Sequence, residues 1–379
     1  MPGPILRPSS SSVTLERAVG NGPHDGCMSA AAVPTHLVGS INQPDAESVF
    51  RLVADRLDNV PRIPDGEVGE RFYWIQFQNE RFDRAEGLER VGELGFRIRD
   101  RFDVRPFRVT GEVTLPELGY AAAANDSFAR FEALQQQGVI PAGTRFQVSL
   151  PTPAGVIAAF IEPGSRAAFE PVYRAALLDE LARIQAAIPH EKLAIQWDVA
   201  TEFALLERDR RPAFQIEPWW EGDDVEGVLE RIAALAAEVA DAVQLGFHLC
   251  YGDVEEAHFV QPEDAALLAR IAQGILDRVQ RRVDWIHLPV PIERDDAAFF
   301  APLTSVEWGS TQPFLGLVHH EDGADGALRR ATAAREAVPA FAEAGAFGIA
   351  TECGFGRGPA ERTAPLLDVH RDLAAALVA

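Results

Sequence analysis

His248 and Cys250 stand two residues apart in FHLCYGD (247–253), and Cys353 stands in TECGFGR (351–357). An imidazole nitrogen with two thiolates is a donor set suited to Zn2+, and three protein ligands leave a fourth position for water or substrate, as catalytic zinc requires. Residues two apart on a strand project from the same face, so the H-x-C pair can reach one ion. The competing reading of the spacing is that both cysteines are small buried hydrophobes. Which reading holds depends on the elements that carry the three residues.

Eight short apolar runs alternate with segments of helical periodicity, the pattern of βα units around a parallel sheet. The runs are 35–41, 60–66, 145–151, 193–199, 245–252, 283–290, 313–320 and 347–354. The clearest helices between them cover 169–188, 224–243 and 262–280, with apolar residues at i, i+3, i+4 and i+7 and with Pro or acidic residues at their starts. This predicts an α/β chain, a single (β/α)8 TIM barrel, rather than two Rossmann-like halves; no G-x-G-x-x-G follows any strand. In such barrels chemistry sits at the C-terminal strand ends. Here those ends carry Ser40, Asp65, Glu67, Asp198, His248, Cys250, His287, His319 and Cys353.

The stretch from about 70 to 143 is too long for one crossover. It contains the aromatic-rich FYWIQFQNERF (72–82) and a further strand-like run, FRVTGEVTL (107–115), and it reads as an insertion over the C-terminal mouth, either a lid or packing. Residues 1–34, rich in Pro, Gly and Ser and without the apolar core of a signal peptide, read as a disordered tail preceding a barrel over 35–379. Met28 follows Cys27 and is an alternative start of translation.

Composition bounds the class. With 47% hydrophobic and 24% charged residues the chain is an ordinary globular protein, and it lacks a run of about 18 apolar residues that could span a bilayer. A formal net charge of −22 repels phosphates and anionic head groups, which argues against nucleic-acid and membrane partners. Three cysteines in 379 residues make no disulfide framework, which points to a reducing, cytoplasmic setting.

The segments FHLCYGD and TECGFGR resemble the H-x-C and D-C-G zinc segments of the cobalamin-independent methionine synthases, specifically their catalytic C-terminal barrel, within the wider uroporphyrinogen decarboxylase and methionine synthase superfamily. LVGS (37–40), DGEVGER (65–71) and IQWDVATE (195–202) resemble that family's homocysteine pocket. The resemblance implies Ser40 and Glu67 at the amino acid's polar groups and Asp198 at its ammonium, with a structural hydrogen-bonding role the alternative for Asp198. LGLVHHEDG (315–323) resembles the strand of the catalytic histidine, implying His319 as an acid, or His320 if the register shifts by one. LPTPAGVIAAFI (150–161) resembles the loop facing the methyl donor.

Two departures qualify the resemblance. The family's fourth zinc ligand is a glutamate on the sixth strand, and Pro289 occupies that position here. His287, two residues earlier on the same face, is the candidate replacement, with a place in the substrate pocket as its alternative. The family's N-terminal folate-binding barrel is also missing, so the donor is open between a folate and a corrinoid. The expectation is a zinc-dependent transferase that moves a methyl or alkyl group onto a homocysteine-like thiol. The alternatives are a coenzyme-M-type thiol alkyltransferase or epoxide-opening lyase, a metal-free uroporphyrinogen decarboxylase-like lyase, and a catalytically idle metal- or corrinoid-handling partner.

Overall fold

The computed structural model describes residues 33–378 except 94–96, 99–101, 104, 211–215, 253–257, 259 and 344. Of the expected tail, Val33 and Pro34 belong to the fold, with Val33 buried and the Pro34 carbonyl accepting from Ile349 N. Cys27 and Met28 lie outside the described residues.

Seven strands form one parallel sheet in chain order: β1 (Arg62–Pro64), β2 (Arg145–Pro151), β3 (Leu193–Val199), β4 (Gln244–Leu249), β5 (Trp285–Pro289), β6 (Gln312–Val318) and β7 (Gly348–Thr351). The periodicity reading of β2 and β3 matches residue for residue. Their near-continuous burial is that of a parallel sheet covered on both faces. The covering helices include α1 (Ala46–Arg56), α2 (Tyr120–Gln136), α3 (Arg166–Ala187), α4 (Asp224–Ala236), α5 (Ala266–Arg278), α6 (Gly323–Ala337) and α7 (Ala360–Ala376). Local chemistry sets their starts: Asp45 caps α1 by accepting from Ser48 N, and Asp223 caps α4 by accepting from Val225 N and Glu226 N. Helix α4 stops at Ala236, short of the expected 243, where three-residue turns (Val239 N to Ala236 O, Val243 N to Ala240 O) replace the helical pattern.

The run 35–41, expected as a strand, builds no continuous ladder. It touches both edges of the curled sheet at single points: Thr35 bridges Ile349, Ser40 bridges Gly66 and Ile41 bridges Phe355. Interior side chains have taken the partners a ladder would use. Gln147 Nε2 donates to the carbonyls of Leu37 and Val38, and Gln196 Nε2 and Ser149 Oγ both donate to Val38 O. The architecture is thus α/β with a curled seven-stranded parallel sheet ringed by helices.

Between β1 and β2, α2 packs against α1 and α3 as the crossover helix. Residues 69–118 are additional to it. They hold a short helical stretch (Gly69–Phe77), a helical turn (Gln78–Phe82) and an antiparallel ribbon of Glu86–Arg90 with Phe107–Thr114, which agrees with the strand read at 107–115. No described helix is long and apolar enough to cross a membrane.

Candidate functional site

The sheet register places the chemistry. Asp198 pairs with His248 across β3 and β4, and His248 with His287 across β4 and β5, so three polar residues form one row near the C-terminal strand ends. Cys250 follows β4, its backbone N held by Val199 O. Cys353 follows β7 in a turn whose glycines are needed for close approach: Phe355 N donates to Ser40 O, and a Cβ on Gly356 would stand 2.6 Å from Ser40 Cβ.

His248, Cys250 and Cys353 come together as the sequence predicts, each offering a ligand atom, all within 4.8 Å of one another. Cys250 Sγ is 3.8 Å and His248 Nε2 3.7 Å from Cys353 Sγ. Gly252 N donates to Cys250 Sγ at 3.2 Å, stabilising a thiolate there. The contact with the Cys353 thiol lowers the Cys250 thiol well below its ordinary range, outweighing burial, and His248 adds to this. Burial opposes charge on His248, but Cys250, Asp198 and Glu67 outweigh it and raise the imidazole's proton affinity. This nitrogen and two polarised sulfurs, mutually close and almost buried, fit a zinc ion.

His287 lies beside this group. Its Nδ1 is 2.7 Å from His248 Nδ1 and its Nε2 is 2.9 Å from Thr351 O, so both ring nitrogens are engaged. Pro289 ends β5 with no side-chain donor or acceptor.

A group of buried carboxyls adjoins the cluster. Asp198 accepts from Gln196 Nε2 at 2.9 Å and Trp74 Nε1 at 3.2 Å, and burial pushes its carboxyl up to about 6. Gln196 in turn contacts His36 Nε2 through Oε1 at 2.9 Å. Glu67 is pushed up to about 8, first by burial and then by the like charge of Asp198. Its backbone lies in the left-handed region at φ 51°, a strained position for a residue with a side chain. Ser40 Oγ accepts from Gly356 N at 3.3 Å. Asp65 is spent structurally, accepting from Glu67 N and Ser127 Oγ and pairing with Arg71.

His319 Nε2 donates to Val290 O at 2.8 Å, while its Nδ1 is 4.0 Å from Glu352. His258 reaches the same carboxylate at 3.0 Å. His320 is more exposed and pairs with Glu321. Sequence reading missed Trp74, Gln196, Glu202, His258 and Glu352. Glu202 accepts from Thr152 Oγ1 at 2.6 Å and is pushed up to about 7, mainly by burial. Its place six residues after Gln196 in the quoted IQWDVATE was the available signal; His258 had none.

Neither a protein-family model nor a curated protein matches the chain. Solved structures do. A B12-independent methionine synthase from Shewanella sp. W3-18-1, in complex with selenomethionine, superposes with a TM-score of 0.54 at 16% identity, over 91% of this chain and 98% of that one. A Listeria monocytogenes protein designated as a candidate vitamin-B12-independent methionine synthase gives 0.56 at 15% identity, over 92% and 98%. The chain therefore shares, along nine-tenths of its length, the fold of structures described as B12-independent methionine synthases.

Proposed function

We propose that this chain is a zinc-dependent transferase that moves a methyl or alkyl group onto the sulfur of a small amino-acid thiol resembling homocysteine. The observation that carries the reading is the convergence of His248 Nε2, Cys250 Sγ and Cys353 Sγ near the buried carboxyls of Asp198 and Glu67. Zinc held by those three residues would supply the Lewis acidity that turns a bound thiol into a thiolate at neutral pH.

The chain's own residues do the rest. Asp198, held in place by Gln196 and Trp74, receives the substrate's ammonium, and Glu67 stands close enough to share it. Ser40 offers a hydroxyl to the substrate's polar end. His319, with Glu352 4.0 Å from its Nδ1, takes the role of passing a proton to the departing group in this reading. The donor, a methylated folate or a corrinoid, enters between residues 150–161 and the additional segment 69–118. A cytoplasmic setting agrees with the reduced thiols this chemistry needs.

The site's charge favours an amino-acid thiol over coenzyme M, because Asp198, the carboxyl of this group that ionises most readily, attracts an ammonium and repels a sulfonate. A metal-free decarboxylase has no use for the His-Cys-Cys group. Metal analysis of protein purified without chelator tests the reading. The expected result is about one zinc per chain, lost in His248→Ala, Cys250→Ala and Cys353→Ala, since two remaining ligands hold zinc poorly. A panel of thiols assayed for S-methylation then separates a transferase from an idle metal carrier. Zinc-free wild-type protein would sink the proposal.

A further inference from the structure

His287 is wholly buried; the register pairs it with His248 on β4, and its ring reaches Thr351 at the end of β7. Its Nε2 meets the carbonyl of Thr351, which can only accept, so Nε2 carries a proton. A ring with its one N–H at Nε2 presents Nδ1 as a lone pair. Its Nδ1 is then an acceptor, and the proton in the 2.7 Å contact belongs to His248 Nδ1. That leaves His248 Nε2, on the side of Cys353 Sγ, as the nitrogen that would face a metal.

We propose that His287 is a positioning residue: it relays the Thr351 carbonyl to His248, fixing the Nδ1–H tautomer of His248 so that Nε2 faces the metal. The inference rests on the zinc reading above and deepens it. The relay also couples the two halves of the site. Thr351 lies two residues before Cys353 and donates through Oγ1 to Cys353 O at 2.6 Å, so one chain of hydrogen bonds registers the ligand on β4 against the ligand after β7. In this arrangement His287 leaves the fourth position free for the substrate sulfur, since both its nitrogens are in use. Partners of this kind, which donate to or accept from the far nitrogen of a ligating histidine, typically change metal affinity about 10- to 100-fold when removed.

Two variants and one wild-type measurement test it. His287→Phe keeps a ring and removes both nitrogens, whereas His287→Gln retains an acceptor and a donor. Zinc affinity, read by competition with a chromophoric chelator, should fall about 10- to 100-fold in His287→Phe and recover most of the loss in His287→Gln. The cobalt-substituted His287→Gln protein should keep the wild-type visible spectrum, because its ligands are unchanged. In zinc-loaded wild-type protein, long-range 15N spectra of labelled histidines should show His248 protonated at Nδ1 and His287 at Nε2; this needs no variant to fold. Wild-type zinc affinity in His287→Phe, or a metal-bound nitrogen on His287, overturns the relay and leaves the zinc reading standing. Wild-type protein that binds no zinc overturns both.

Discussion

At the scale of single residues, the grouping of side chains was legible wherever it rested on local spacing. The H-x-C spacing keeps two donors within reach of one another, and His248 and Cys250 meet although Cys250 lies one residue past the end of β4. His287 was harder. Whether it ligates, lines the pocket or supports another histidine depends on which strand lies beside it and in what register, and no local pattern encodes that. The same limit hid Trp74, which reaches Asp198 from 124 positions away in the chain. Asp198 itself carries a direct prediction. Asp198→Asn preserves the hydrogen bond from Trp74 and removes the charge, so calorimetric titration of homocysteine into zinc-loaded protein should show binding weakened by about 1.5–3 kcal/mol, the range of a charge-assisted hydrogen bond, with zinc content unchanged. Equal affinity would shift support to the coenzyme-M-like reading.

At the scale of elements, the alternation of apolar runs and amphipathic helices located the sheet strands, because a two-sided buried strand needs an unbroken apolar run and its helices need one apolar face. The run 35–41 was read as a regular strand for the same reason, yet glutamine side chains from β2 and β3 satisfy its carbonyls instead. That substitution is tertiary and cannot be read from the run. Gly316 on β6 shows how an element sets the site. A Cβ there would stand 2.7 Å from Glu352 Cα and 3.0 Å from Thr351 O, both backbone atoms of the turn that carries Cys353. Gly316→Ala should therefore push that turn outward, costing about 1–3 kcal/mol in denaturant unfolding as overpacking does, and should weaken zinc binding along with stability. A variant as stable as wild type with full zinc would show that β7 gives way without cost.

At the scale of the whole molecule, three buried carboxyls titrate far from their ordinary values: Asp198 up to about 6, Glu202 up to about 7 and Glu67 up to about 8, each mainly through burial. The folded protein holds their protons more tightly than the unfolded chain does. Their contribution to stability is therefore complete below their ordinary values near pH 4 and is lost as pH rises through about 6 to 8. Metal-free protein should show a thermal midpoint that falls across this window, and Glu67→Gln, which stays neutral, should flatten the upper part of the fall. A pH-independent difference between the two proteins would contradict this account. The acidic composition of the chain was visible in the sequence, but which carboxyls are buried together was not.

The contact between Ser40 and Gly356 joins residues 316 positions apart, and Cys250 and Cys353 are 103 apart. Synthesis at roughly 5–20 residues per second separates the emergence of the two cysteines by about 5–20 s. Throughout that interval the nascent chain carries the His248–Cys250 half of the site alone, with a thiol whose later partner is still untranslated. On the proposed zinc reading, metal loading would accordingly be an event of the finished chain, and zinc supply at release, rather than during elongation, would govern how much of the protein matures.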